Sequence, residues 1–218
     1  MITKRPRLFW LTLAVMVTAV ATSHFAPKDV VSLPGGFESP VIALELARSA
    51  GDAALIMDGP ERRSGFRTSV YTDFGFIFFY TLLWAIMGRR VSPIAALLAV
   101  LGGLADVIED IGMLITLAAP APTENAVNWT FYASHAKWLA LGLVFIALFF
   151  YFRPRFGIKS GWDLTRSLAG LAYICSGVIC VAGVFLWNPL IEYSVPPLSV
   201  ALLLQLVLAL LKAEEIEH

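Results

Sequence analysis

The sequence predicts an all-α integral membrane protein of six transmembrane helices, with one short amphipathic helix on the outer surface. Three observations carry this reading. The 218 residues are 58% hydrophobic and only 15% charged, with a mean hydropathy of +0.76, whereas soluble domains are about half apolar and a quarter charged. Six segments reach the roughly 20 apolar residues that a bilayer crossing needs. Lys and Arg gather in alternate connections, the pattern that orients spans with their basic ends inside. The formal net charge is zero, so no global field draws the chain to nucleic acid.

The first segment, Leu8–Phe25, follows Lys4, Arg5 and Arg7. It has a rival reading as a secretory signal peptide, with Ala19-Val20-Ala21 as a small-residue cleavage site. Cleavage there would leave five spans. Residues 26–68 form the one sizeable extracytoplasmic piece. Within it, Ser39 followed by Pro40 is a good helix start, a capping hydroxyl and then proline at the first helical position. The helix is expected over about 40–57, ending at Asp58-Gly59-Pro60. On it Glu45, Arg48 and Asp52 share one stripe, so Glu45 and Arg48 are expected to form an exposed i, i+3 pair.

The remaining spans are Ser69–Gly88, Pro93–Ala118, Trp129–Phe152, Ser167–Trp187 and Val195–Leu211. Pro196-Pro197 fits the first turn of the last one. Together the six spans make a single bundle over residues 1–218. Arg89 and Arg90 fill the turn after the second span. Arg153, Arg155, Lys159 and Arg166 follow the fourth, and Lys212 follows the sixth. The opposite connections, Pro120–Asn128 and Asn188–Ser194, carry no Lys or Arg. Both termini are therefore placed on the cytoplasmic side of the membrane. Lys28, Arg48, Arg62, Arg63 and Arg67 in the outer loop run against this pattern, but long loops follow the rule weakly. Cys175 and Cys180 point about 140° apart on a helix, which disfavours a mutual disulfide; both are expected to be small buried residues.

Three acids inside the third span, Asp106, Glu109 and Asp110, are the most informative feature. A charge at bilayer depth costs a few kcal/mol at least, roughly 2.5–3.5 on insertion scales, so such acids need a partner, a proton or water. Their i, i+3, i+4 spacing puts them on one helix face. At 1.5 Å rise per residue they lie about 20–25 Å along a helix that starts inside. Asp73 lies about one turn below the outer surface, and Ser134, His135 and Lys137 fall in the outer turns of the fourth span. These groups therefore share one depth. Asp73 and Tyr80 share a face of the second span. Lys137 shares its face with Ser134, while His135 points about 160° away from Lys137.

This pattern predicts an outward-facing acidic pocket. Asp73, Asp106, Glu109, Asp110 and Lys137 are its ligand-binding candidates, with Ser134, His135 and Tyr80 as secondary members. Mutual repulsion and burial imply that the acids share at least one proton at neutral pH and titrate as a unit. Carboxylates without cysteine suit a hard divalent cation on Asp73, Asp106, Glu109 and Asp110. A proton or a cationic lipid head group would meet the same charge. Two alternatives stay open. One is an intramembrane acid/base enzyme acting on a lipid or isoprenoid, with Lys137 stabilising developing negative charge. The other is a structural subunit of a larger membrane complex, its acids paired with Lys137 or with another chain. Membrane lipids and other membrane subunits are the expected partners. The sequence holds no Walker loop, no Gly-x-Ser-x-Gly and no Cys-x-x-Cys.

Four stretches resemble a pattern found in small, uncharacterised bacterial multi-pass membrane proteins. They are Leu44-Glu45-Leu46-Ala47, Asp73-Phe74-Gly75-Phe76-Ile77 with Tyr80, Ala105-Asp106-Val107-Ile108-Glu109-Asp110, and Lys137-Trp138. The family pattern has Asn after the Glu, where this chain has Asp110. The resemblance covers about Leu44 to Trp138. It implies the membrane class and no particular activity.

Overall fold

A computed structural model of the chain describes residues 7–28, 33–153 and 160–211. Lys4, Arg5, Arg155, Lys159 and Lys212, which enter the orientation reading, lie outside them. The described residues are all helix and connection: α1 (Arg7–Phe25), a 3-10 turn (Pro34–Gly36), α2 (Pro40–Glu45), α3 (Ala50–Ile56), α4 (Pro60–Val91), α5 (Pro93–Ala118), α6 (Glu124–Phe152), α7 (Gly161–Phe185), a second 3-10 turn (Asn188–Ser194) and α8 (Val195–Leu211).

Five helical stretches among the described residues are long and apolar enough to cross a membrane: Arg7–Phe25, Pro60–Val91, Glu124–Phe152, Gly161–Phe185 and Asn188–Leu210. They indicate a multi-pass membrane protein. Helix α5 is 26 residues long, but its three acids keep it outside that group on composition. The expectation of six spans is therefore met for five.

Local sequence sets the helix boundaries. Ser92 is the whole link between α4 and α5: its N–H closes α4 on the Gly88 carbonyl at 2.8 Å, and its Oγ caps α5 by accepting from the Ala95 N–H at 3.1 Å. Pro93 then occupies the first turn of α5, where no N–H is needed. A Cβ on Gly88 would sit 2.9 Å from the Ala95 carbonyl carbon, so this tight hairpin requires glycine. Thr123 and Ser160 cap α6 and α7 in the same way. With 32 residues, α4 is ~48 Å long, well beyond the ~30 Å hydrocarbon core. Its first turns therefore project past any bilayer that its apolar part crosses.

Each long helix packs on its sequence neighbour from α4 to α8, and α1 packs on both α4 and α8, closing a ring. Where α6 crosses α7, a Cβ on Gly177 would lie 2.5 Å from the Gly142 carbonyl oxygen. Small residues thus let these backbones touch, the usual device where lipid removes the hydrophobic drive between helices. α1 is tied in by a buried chain: Tyr173 donates to Gln205 Oε1 at 2.6 Å, and Gln205 Nε2 donates to Thr12 Oγ1 at 2.7 Å. The ring interior is aromatic, with Trp84 packed on Tyr80 at 4.8 Å and edge-on to Phe145 at 4.7 Å.

Residues 33–59 fold over the end of the bundle opposite the α4–α5 turn. The sequence predicts one helix over 40–57; the structure has two, α2 and α3, separated at Leu46–Ser49. The cause is a second cap, the Ser49 Oγ accepting from the Asp52 N–H at 3.0 Å. The break lets both faces of the segment serve as core. Ala43, Leu44, Ala47, Ala53 and Ile56 pack on Phe66, Val70, Met113, Leu117 and Val127 of α4, α5 and α6, while Ile42 and Leu46 pack on Ile191. Two carboxylates pin the segment from outside: Glu192 accepts from the N–H groups of Glu38 and Ser39 at 2.9 and 2.8 Å, and Glu124 accepts from the Ala50 N–H at 3.0 Å. The two cysteines also divide differently from expectation. Cys180 is buried, but Cys175 is exposed on the outside of the ring.

Candidate functional site

Helices α4, α5 and α6 bring their polar faces together beneath α2. The small residues of α5 are what allow this approach. A Cβ on Gly102 would meet Leu141 of α6, and one on Gly103 would collide with Thr81 of α4. The opposite face of α5 is a row of exposed apolar side chains, Ile94, Leu97, Leu104, Ile108, Ile111 and Ile115. The helix is thus amphipathic in the sense a membrane demands, acids in and aliphatics out.

Lys137 organises one half of the cluster. Its Nζ donates to Glu109 Oε1 at 2.8 Å and to Glu45 Oε2 at 3.0 Å, and lies 3.1 Å from Asp106 Oδ1. Two carboxylates thus accept hydrogen bonds from one ammonium, and the third, Asp106, is held to it by charge alone, its Oδ1 having no hydrogen-bond partner. The indole of Trp138 lies 5.0 Å from Nζ and donates its own N–H to Glu45 Oε2 at 3.3 Å. Glu45 corrects the sequence reading: it is no exposed partner of Arg48 but is buried at 7% exposure, while Arg48 remains exposed. Burial pushes its carboxyl above the usual glutamate range and the Asp106 carboxylate adds to that, against the pull of Lys137.

Asp106 belongs to both halves. Its Oδ2 accepts from the Tyr80 hydroxyl at 2.6 Å. One carboxylate oxygen from each of Asp73, Asp106 and Asp110 also falls within 4.8 Å of the others. Asp110 is fully buried, yet neither of its oxygens has a hydrogen-bond partner, and Glu109 Oε2 has none either. Asp73 is the half-buried member of the trio.

Of the secondary candidates, Tyr80 is a direct member through Asp106. Ser134 is buried with its Oγ unpartnered. His135 turns away: its Nδ1 bonds the Phe131 carbonyl at 2.8 Å and its ring packs on Phe131. The acids are also more enclosed than an outward-opening pocket implies, with Asp106, Glu109, Asp110 and Lys137 all at 4% exposure or less. A cleft of about 530 Å³ at the same end, lined by Asp58, Arg63 and Pro120, includes none of the clustered acids around Lys137 and Asp106.

Five carboxyls, Glu45, Asp73, Asp106, Glu109 and Asp110, therefore cluster near a single ammonium, three of them in contact with it. Such a set cannot all be ionised without further positive charge, because each uncompensated buried charge costs several kcal/mol, roughly 3–5 when a pair is broken. Protons or a bound cation supply it. The trio fits a hard cation: oxygens on opposite sides of an ion held at ~2.4 Å lie ~4.8 Å apart, and the donor set is all oxygen.

Comparison of the chain with protein-family models, with curated proteins and with solved structures found no match. The functional reading therefore rests on the geometry of the site.

Proposed function

We propose that the protein is a six-span membrane protein that binds a cation inside the bilayer at Asp73, Asp106 and Asp110. The observation that carries this is Asp110, a fully buried carboxyl with both oxygens unpartnered, beside two further carboxylates. A hard divalent cation satisfies those oxygens; a proton or the amine of a lipid head group is the lesser occupant of the same charge. We take α5 as the sixth span, because its acids face α4 and α6 while its aliphatic residues face outward. The ends of α4 and α6 nearest Arg89, Arg90 and Arg153 then face the cytoplasm, and the cluster lies in the outer half of an inner membrane.

The Lys137 half of the cluster favours a second reading. Lys137 bonds both Glu45 and Glu109 and so locks α2, α5 and α6 together, as a structural ion pair in a bundle or a subunit of a complex would. Mn²⁺ titration of the detergent-solubilised protein, followed by electron paramagnetic resonance, separates the two. A stoichiometric site lost in Asp110→Asn, with the variant still folded, supports the cation site. No binding in either form, with unchanged folding of the variant, leaves the structural reading.

A further inference from the structure

Asp106 is the only residue in contact with Lys137 that also belongs to the aspartate trio among the described residues, and Lys137 is what holds Glu45 of α2. Occupancy of the trio and docking of α2 are therefore linked by charge. Without a cation, Glu45 must enter a region already crowded with carboxylates and offset by one ammonium. A cation in the trio neutralises that excess and lowers the electrostatic cost of seating Glu45. By linkage, a docked Glu45 makes the cation harder to lose.

The segment that carries Glu45 is short and jointed, with its apolar side packed on the bundle. It is two short helices of 6 and 7 residues with an irregular joint at Leu46–Ser49. Outside its apolar underside, it is anchored by backbone N–H groups on the carboxylates of Glu192 and Glu124. Those bonds hold the chain near the bundle without engaging the cluster. Glu45 is the one side chain of α2 that reaches the intramembrane charges.

We propose that α2 is an occlusion lid: it closes over the intramembrane site when a cation occupies Asp73, Asp106 and Asp110, with the Glu45–Lys137 contact as the coupling element. This rests on the cation-site reading above. A net gain of one unit of positive charge in the trio, as when a divalent cation displaces one proton, favours closure by roughly tenfold or somewhat more at a separation of about 10 Å and an effective dielectric of about 20.

The test uses the full chain with Cys175→Ser, Cys180→Ala and Ala43→Cys, Ala43 being on the buried underside of α2 at 1% exposure. Labelling by a charged, membrane-impermeant maleimide is timed with and without Mn²⁺, and Mn²⁺ binding is read by electron paramagnetic resonance on the same samples. The expected result is labelling slowed about tenfold by Mn²⁺, with the slowing abolished in Glu45→Gln while Mn²⁺ still binds. Glu192→Gln, which loosens an anchor remote from the cluster, is expected to raise basal labelling and keep the Mn²⁺ effect. Mn²⁺ binding with unchanged or faster labelling overturns the lid and leaves the cation site standing. Absence of Mn²⁺ binding overturns both.

Discussion

Glu45 and Lys137, 92 residues apart in sequence, meet through Oε2 and Nζ at 3.0 Å, both buried. This contact joins the segment over the end of the bundle to the charges within it. It makes Lys137 the one described residue that touches α2, α5 and a neighbouring carboxylate set at once.

Replacing Lys137 by Met is expected to be the most destabilising single change in the cluster. It strands three buried carboxylates, and breaking a buried pair typically costs about 3–5 kcal/mol. Glu45→Gln is expected to cost far less, about 1 kcal/mol, because the amide oxygen still accepts from Lys137 and Trp138. Thermal unfolding of the two variants in one detergent checks the order. Equal losses would mean that the ammonium is not the organising charge.

Much of this site was legible in the sequence because its parts lie on regular helices. The i, i+3, i+4 spacing of Asp106, Glu109 and Asp110 fixed their common face, and the depth they share with Asp73 and Lys137 followed from helix rise. Glu45 was missed for a physical reason. A continuous helix over 40–57 puts Glu45 on a stripe with Arg48 and Asp52, and that stripe looks solvated. The signal against it was local: Ser49 with Asp52 three residues on is a helix start, so the chain restarts between Glu45 and Asp52 and their stripe does not exist. Glu45 also lies between Leu44 and Leu46, an apolar setting at odds with an exposed pair. The aspartate trio was not separable from Glu109 by spacing alone, because only the packing of α6 decides which acids Lys137 takes.

Tyr80→Phe removes the hydroxyl that donates to Asp106 at 2.6 Å and leaves the ring on Trp84. A hydrogen bond to a charged group is worth about 1.5–3 kcal/mol, so a loss in that range is expected in chemical or thermal unfolding. Mn²⁺ binding is expected to survive, since Tyr80 holds Asp106 from the side away from Lys137. A variant as stable as the parent would show that the Tyr80 hydroxyl adds nothing to the hold on Asp106.

The α6–α7 crossing gives a test of the fold independent of charge. Gly177→Ala places a methyl 2.5 Å from the Gly142 carbonyl oxygen and 2.9 Å from the Ile146 amide nitrogen, both backbone atoms that cannot swing aside. Overpacking of this kind costs about 1–3 kcal/mol, so a lowered unfolding temperature is expected. Gly161→Ala, where a Cβ meets no atom within 4 Å, is expected to be neutral or slightly stabilising, since alanine is the better helix former. Matching behaviour of the two would contradict the close crossing.

Docking of α2 is expected to depend on pH with a definite sign. The Glu45 carboxyl is raised above its ordinary value of 4.5, chiefly by burial and further by Asp106, against the opposing pull of Lys137. An undocked Glu45 in water keeps the ordinary value. Between the two values the docked state holds the extra proton, so docking is favoured at the low end and weakens as pH rises through the window. Above the raised value both states are ionised and the slope ends. The groups facing Glu45 are Lys137 and Trp138 of α6 and, across the ammonium, Asp106 and Glu109 of α5, and these are common to the parent and Glu45→Gln. The contribution of Glu45 is therefore the difference in slope between the parent and Glu45→Gln, read as maleimide labelling of a cysteine at Ala43 across pH. Labelling of the parent is expected to rise with pH more steeply than that of the variant, after correction for thiol ionisation measured on an exposed cysteine. Parallel profiles would place Glu45 in the same protonation state whether α2 is docked or free, and would remove it as the group that senses the charge beneath the lid.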